Sequence, residues 1–485
     1  MPSSPPPEQS PSQPPPPPPL AKIHKVDTRT SHLLDTHGRT RFFHGVNVVF
    51  KREPWYPPTE EFDPVTSFCD EDIRILASLN LNCIRLGVHW AGVEPTRGAY
   101  STAYLSAIRH IIQRCATLGI YVLLEFHQDV LHPRWGGHGV PDWVADACGG
   151  APGATLAGFK VPWYLVYFKY AVADAFGKLY ANHDGLLDAF AAYWKRVVEE
   201  YRDEPNVIGY EIMNEPWPGN HYKNPLLLLP NHASSTTLHK MHTHVALSIR
   251  STTPSALLFF EDATWDTASR APFVPGGAEF ADRSVLAYHY YQPPQRAGIN
   301  TYLQNRKRDA KRLGCGLFMT EWEMWVGDTD LPTTSSAPLH PRIQKMYETA
   351  EAADTHLQSW LGWSYKSFAQ GADSADGSLF TRTGARRPEI ESLWSRPYAS
   401  AVAGRVHSMR FDCARGVFEL CYRPRWRGDD AGDDQAYETV IALTRATHYP
   451  TGFRVAVWPE GAPVRWVERV LEAGNSVVVL TPGAG

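Results

Sequence analysis

Val207-Ile208-Gly209-Tyr210-Glu211-Ile212-Met213-Asn214-Glu215 is a nearly continuous apolar run that turns into a polar pair just before Pro216-Trp217. A run of that length fits a strand buried on both faces, and such strands belong to parallel sheets covered by helices. Seven more runs of the kind flank it, at Phe42–Phe50, Cys83–Trp90, Tyr121–Asp129, Leu257–Trp265, Val285–Gln292, Gly316–Met324 and Leu361–Phe368. Helical patterns separate them, clearest where Leu105, Ile108, Ile112, Cys115 and Leu118 share one helix face. Eight strand-helix units close on themselves, so the expected class is α/β, a (β/α)8 TIM barrel over residues 21–395. A doubly wound sheet would carry a glycine-rich phosphate turn after its first strand, and Gly45-Val46-Asn47 supplies none.

Both flanks change character. Residues 1–20 are a Pro/Ser tract without an apolar leader core, which reads as an extended polyproline-type tail, a spacer or an SH3/WW-type ligand. Over residues 396–485 the period drops to two, as in Val417-Phe418-Glu419-Leu420-Cys421-Tyr422 and Ser476-Val477-Val478-Val479-Leu480. That pattern predicts a small C-terminal antiparallel β-sandwich domain.

With 43% hydrophobic and 20% charged residues, the 485-residue chain is globular in composition. A net charge of -4 leaves no basic field for nucleic acid or an anionic membrane. The seven cysteines have no metal-ligand spacing and fit reduced thiols; only Cys413 and Cys421 could meet, across a hairpin. No apolar run approaches the roughly 20 residues of a membrane span. The expected location is cytoplasmic, and any membrane contact would be peripheral.

In a barrel enzyme the reacting groups stand where strands end. Those ends offer Arg85 and His89, His127 and Asp129, Asn214 and Glu215, His289 and Tyr291, Glu321, and Trp363. Glu125, Glu211, Glu261 and Glu323 also lie on strands and read as structural, with Glu323 the nearest rival to Glu321.

An Asn-Glu-Pro strand end followed by Glu321 on the seventh strand resembles the clan A glycosidases, family 5 in particular. The resemblance spans the barrel, with Arg85, His127, Asn214, Glu215, His289, Tyr291, Glu321 and Trp363 in the family's order. It implies a retaining mechanism with Glu215 as acid/base and Glu321 as nucleophile, no cofactor and no metal. Two carboxyls are needed because the leaving oxygen must be protonated while the developing oxocarbenium carbon is attacked from the other face. Arg85 and Tyr291 would hold Glu321, and Asn214 would bond the sugar 2-hydroxyl.

The segments Gly45–Lys51, His127–Val130 and Trp135–Val144 resemble the endoglycoceramidases and their fungal intracellular relatives, the glucosylceramidases and sterylglucosidases. The implied substrate is a glycolipid, foremost glucosylceramide, with a steryl glucoside or intact oligosaccharide release as alternatives. Lys51 and Asp129 would then bind glucose hydroxyls. Phe159, Val161, Pro162, Trp163, Tyr164, Leu165, Val166, Tyr167 and Phe168, with Leu226 to Leu229, would line an aglycone groove or touch a bilayer. Weaker alternatives are a metal-dependent hydrolase using His127, Asp129, His132 and His289, an idle lipid- or carbohydrate-binding barrel, and a polysaccharide endoglucanase.

Overall fold

The computed structural model describes residues 20–149, 163–263, 270–292, 294–324, 340–368, 379–381, 383–426 and 434–483. The chain opens with three short strands, β1 (Ile23–Asp27), β2 (His32–Asp35) and β3 (Thr40–Arg41). The barrel strands follow: β4 (His44–Val48), β5 (Cys83–Gly87), β6 (Tyr121–Glu125), β7 (Val207–Glu211), β8 (Leu258–Glu261), β9 (Ser284–Tyr290), β10 (Gly316–Trp322) and β11 (Trp360–Gly362). They close in the order β10-β11-β4-β5-β6-β7-β8-β9, all pairs parallel. Each apolar run picked out in the sequence holds or overlaps one of these strands. The runs extend too far at their C-terminal ends because the chain there leaves the ladder to form the loops around the barrel mouth.

Local chemistry explains the alternation. The helix Thr102–Thr117 buries Leu105, Ile108, Ile112 and Cys115, and Ser101 caps it by accepting the Tyr104 N–H. Gly45 sits where a Cβ would lie 1.9 Å from the Cys83 carbonyl oxygen, so closure of β4 on β5 requires glycine.

At the N-terminal end the barrel is plugged by Ile23, Val26 and Leu33, packed against Phe43, Tyr121, Phe259 and Phe318. Tyr121 Oη donates to the Ala21 carbonyl at 2.8 Å, and buried Asp35 pairs with Arg39 at 2.9 Å and Arg41 at 3.2 Å. These contacts leave the opposite, C-terminal mouth as the open face.

The C-terminal strands are β12 (Tyr398–Val402), β13 (Gly404–Asp412), β14 (Val417–Pro424), β15 (Thr439–Leu443), β16 (Val464–Val470) and β17 (Ser476–Pro482). One antiparallel sheet runs β1-β2-β3-β12-β15-β17-β16, with β13 and β14 as a separate hairpin. Val406 and Met409 of the hairpin pack on Tyr398, Val402 and Val479 of the sheet. The second layer is therefore a single hairpin among the described residues. Residues 23–41 join the sheet through β3 and β12, a pairing about 360 residues apart that no local pattern announces. All seven cysteines are free thiols. Cys421 faces Ser408 across the hairpin while Cys413 follows its β13 end, so the two are out of register for pairing. Among the described residues no helix is long and apolar enough to cross a membrane.

Candidate active site

Arg85 on β5 anchors the open mouth. Its side chain is fully buried, and all five of its N–H donors are used. Nε and Nη2 grip Glu211 at 2.8 and 3.1 Å, Nη1 donates to Asn47 Oδ1 at 3.0 Å and Glu321 Oε1 at 2.6 Å, and Nη2 reaches Asn214 Oδ1 at 2.8 Å. Burial alone would favour the neutral form, but Glu125, Glu211 and Glu321 hold the guanidinium firmly charged.

Glu321, on β10, is held at both oxygens, by Arg85 and by the Tyr291 hydroxyl at 2.6 Å from Oε2. Glu215, just past β7, has φ of +43° and is oriented from the other side by His289, whose Nδ1 lies 2.9 Å from Glu215 Oε1. Carboxylate oxygens of Glu215 and Glu321 stand within 4.8 Å of each other. Burial pulls the His289 imidazolium down, yet Glu261, Glu321 and Glu215 push it up to about 10. A carboxyl pair at this spacing, with a cation and a phenol fixed on one member, can attack a sugar carbon from one face and protonate its leaving oxygen from the other.

Beside this pair lies a second, connected group. His127 Nδ1 meets Glu125 at 2.8 Å, and its ring is stacked between Trp363 and His138, with centroids 5.1 and 5.4 Å away. Asp129 Oδ2 accepts from Lys51 at 2.7 Å and lies 3.3 Å from His138 Nε2. Burial would raise the Asp129 carboxyl, but the Lys51 ammonium holds it well below the usual range. Lys51 also stands 4.5 Å over the Trp363 ring. Gly137 makes the loop possible, since a Cβ there would fall 1.6 Å from the Asp129 carbonyl oxygen. Gln128 joins the two groups, donating to the carbonyls of Asn214 and Glu215 at 2.9 Å each. Charged and aromatic walls of this kind fit a polyhydroxylated ring.

The cellulase profile, glycosyl hydrolase family 5, matches residues 43–369, and the glycoside hydrolase family 5 C-terminal domain matches residues 396–483. The chain belongs to glycoside hydrolase family 5. Within it, the endoglycoceramidase of Cyanea nozakii is 36% identical over 91% of this chain and 88% of its own. That of Hydra vulgaris is 36% identical over 93% and 88% respectively. The structure of endo-glycoceramidase II from Rhodococcus sp. superposes with a TM-score of 0.68 at 22% identity, covering 93% of this chain and all of that one.

In this family 5 glycosidase the structure gathers Lys51, Arg85, His127, Asp129, Asn214, Glu215, His289, Tyr291, Glu321 and Trp363 at one mouth. Glu323 instead lines a small outer cavity with Tyr290, Trp322, Arg342, Lys345 and Met346, against the helix Pro341–Thr355. His132 turns to Asp142 at 2.9 Å, so the cluster of His127, Asp129 and His132 does not form. His138 takes its place beside Asp129, whose Oδ2 also accepts from the Lys51 ammonium at 2.7 Å. His89 is buried behind His138, its ring nitrogens without hydrogen-bond partners among the described residues, and burial pulls it down to about 3.

Sequence reasoning missed the charge network beneath the site. Glu125, Glu211 and Glu261, read from the sequence as structural, touch His127, Arg85 and His289 directly. The available signal was Arg85 itself, since a buried guanidinium demands several acceptors. Of the residues expected to line an aglycone groove, Phe159, Val161 and Pro162 lie outside the described residues, Tyr164, Leu165 and Phe168 are exposed, and Tyr167 is instead buried against Trp217; Tyr170 and Tyr222, which the sequence did not single out, are exposed beside them, with Tyr222 Oη donating to the Phe168 carbonyl at 2.6 Å. The leucine run forms a 3-10 turn, Pro225–Leu228, that buries Leu227 and exposes Leu226, Leu228 and Leu229.

Proposed function

We propose that the chain is a retaining β-glycosidase that cleaves the bond between the glucose of a glycosphingolipid and its ceramide. The observation that carries this reading is the Glu215/Glu321 pair within 4.8 Å, each member held by its own partners. Retaining enzymes keep their carboxyls about 5 Å apart so that one can bond the anomeric carbon directly. Glu321 attacks that carbon while Glu215 gives its proton to the glycosidic oxygen, releasing ceramide and leaving a glycosyl-enzyme. Glu215 then takes a proton from water, whose oxygen displaces Glu321. Asn214 reaches the sugar 2-hydroxyl, and Lys51, Asp129 and Trp363 bind the far side of the ring.

The names of the relatives matching nine-tenths of the chain support release of the whole head group. Exposed Leu226, Leu228, Leu229, Tyr170 and Tyr222 beside the loop after β7 support docking on the lipid surface. The free thiols support a cytosolic setting.

The test is product analysis on lactosylceramide, glucosylceramide and a steryl glucoside, with Glu215→Gln and Glu321→Gln as controls. Lactose release, lost in both variants, is the expected result. Glucose from glucosylceramide with lactosylceramide untouched restores the narrower glucosylceramidase reading, and inactivity on all three lipids overturns the glycolipid assignment. Replacing Leu226, Leu228 and Leu229 together by Ser should lower vesicle binding by on the order of tenfold and spare turnover of a soluble aryl glycoside.

A further inference from the structure

Glu261 ends β8 and is 3% exposed, a carboxyl without access to bulk water. Its Oε1 accepts the backbone N–H of Glu215 at 3.1 Å, on the residue held at φ +43°. The same oxygen lies 3.5 Å from Nε2 of His289, a buried nitrogen with no closer hydrogen-bond partner among the described residues. The other ring nitrogen, Nδ1, is 2.9 Å from Glu215 Oε1 and 3.5 Å from Glu321 Oε2. One imidazole thus spans from Glu261 to the carboxyl pair.

We propose that Glu261 is a positioning residue for the acid/base: it keeps a cationic His289 beside Glu215 and fixes the strained turn that presents Glu215. This rests on the assignment of Glu215 as acid/base.

Other charged groups surround the relay from every side. Arg85 on β5 stands 3.9 Å from Glu261, Glu211 of β7 and Glu215 beyond it face the same space, and Glu321 on β10 with Tyr291 after β9 flank His289. From the outer layer, His242 meets the Glu261 carbonyl at 3.1 Å, and Tyr302 lies near its carboxyl. Arg85 is committed to Glu211, Asn47, Asn214 and Glu321, so the only cation free to pair closely with Glu261 among these groups is His289. Burial raises the Glu261 carboxyl and its neighbours raise His289, so the two compete for one proton. Geometry favours placing it on the ring, because Nδ1–H then donates to Glu215 at 2.9 Å while Nε2 lies 3.5 Å from the Glu261 carboxylate. That proton stays within the pair through turnover. Glu215 alone gives a proton to the leaving oxygen and recovers one from water.

Glu261→Gln isolates the charge, since the amide oxygen still accepts the Glu215 N–H. Without that anion the ring holds its proton less firmly, since of the carboxylates that raise it only Glu321 and Glu215 remain, and the cation beside Glu215 weakens with it. An acid relieved of a neighbouring cation keeps its proton to higher pH. The expected result is a basic limb of kcat/KM displaced upward by about one pH unit, with Glu261→Ala showing the same displacement and a further fall in kcat. A uniform loss of kcat with the limb unmoved overturns the proposal.

A second measurement needs no variant at Glu261. In 15N-histidine-labelled enzyme, with His289 assigned by its absence in His289→Gln, the ring should remain an imidazolium at pH 8, and a neutral ring there refutes the relay. Glu215→Gln separates the two claims. If it loses glycolipid turnover but still cleaves a dinitrophenyl glycoside, whose leaving group needs no acid, the assignment of Glu215 stands whatever Glu261→Gln does. If it cleaves glycolipid normally, assignment and proposal fall together.

Discussion

Arg85→Lys keeps the positive charge and changes only its geometry. Arginine uses five donors here, on Glu211 twice and on Asn47, Asn214 and Glu321. An ammonium offers three, so at least two buried acceptors lose their partner. Each buried polar group left unsatisfied costs about 1–3 kcal/mol, which sums to about 2–6 kcal/mol. In a chain of this size that is a fall of about 4–12 °C in Tm, at about 2 °C per kcal/mol. Loss of the 2.6 Å bond to Glu321 should act separately on rate, because a hydrogen bond to a charged group contributes about 1.5–3 kcal/mol. If that interaction serves the transition state, kcat/KM drops roughly 10- to 150-fold. Differential scanning fluorimetry and turnover of an aryl β-glucoside read the two effects. A variant whose Tm stays within about 1 °C of the parent would refute the count of satisfied donors on which the estimate rests.

Stability should fall as pH rises through the mildly alkaline range. His289 is held up to about 10, above its ordinary value near 6.5, so its contribution is whole below pH 6.5 and lost as pH passes through about 10. Denaturant titrations at pH 6 and pH 9 should show the decline, and His289→Gln should flatten it; an unchanged slope in that variant counts against the charged ring. Thiol titration should find Cys413 and Cys421 reacting quickly and the five buried cysteines only on unfolding, burial having pushed Cys148 and Cys315 up to about 12. A single fast thiol, or none, would contradict the exposed hairpin positions.

Much of this molecule was legible from local pattern. Barrel strands are short and apolar, and their ends are marked by polar residues, so Arg85, His127, Asn214, Glu215, His289 and Glu321 could be found by walking along the chain. Period and composition suffice for such features because burial on both faces dictates residue type position by position.

What stayed hidden depends on distance in space. Whether Glu321 or Glu323 faces the mouth turns on how the chain leaves β10, where the register shifts between Met319 and Glu321. Likewise, His138 rather than His132 joins Asp129 because a loop folds back across Gly137. Sequence determined that the chain is a barrel with a carboxyl pair at its mouth. Only the tertiary structure decided that residues 23–41 complete the C-terminal sheet and that Glu125, Glu211 and Glu261 encircle Arg85 and His289. The physical reason is that pairing energy between charges depends on separation of an ångström or so in a low-dielectric interior, a quantity with no trace in the spacing of residues along the chain.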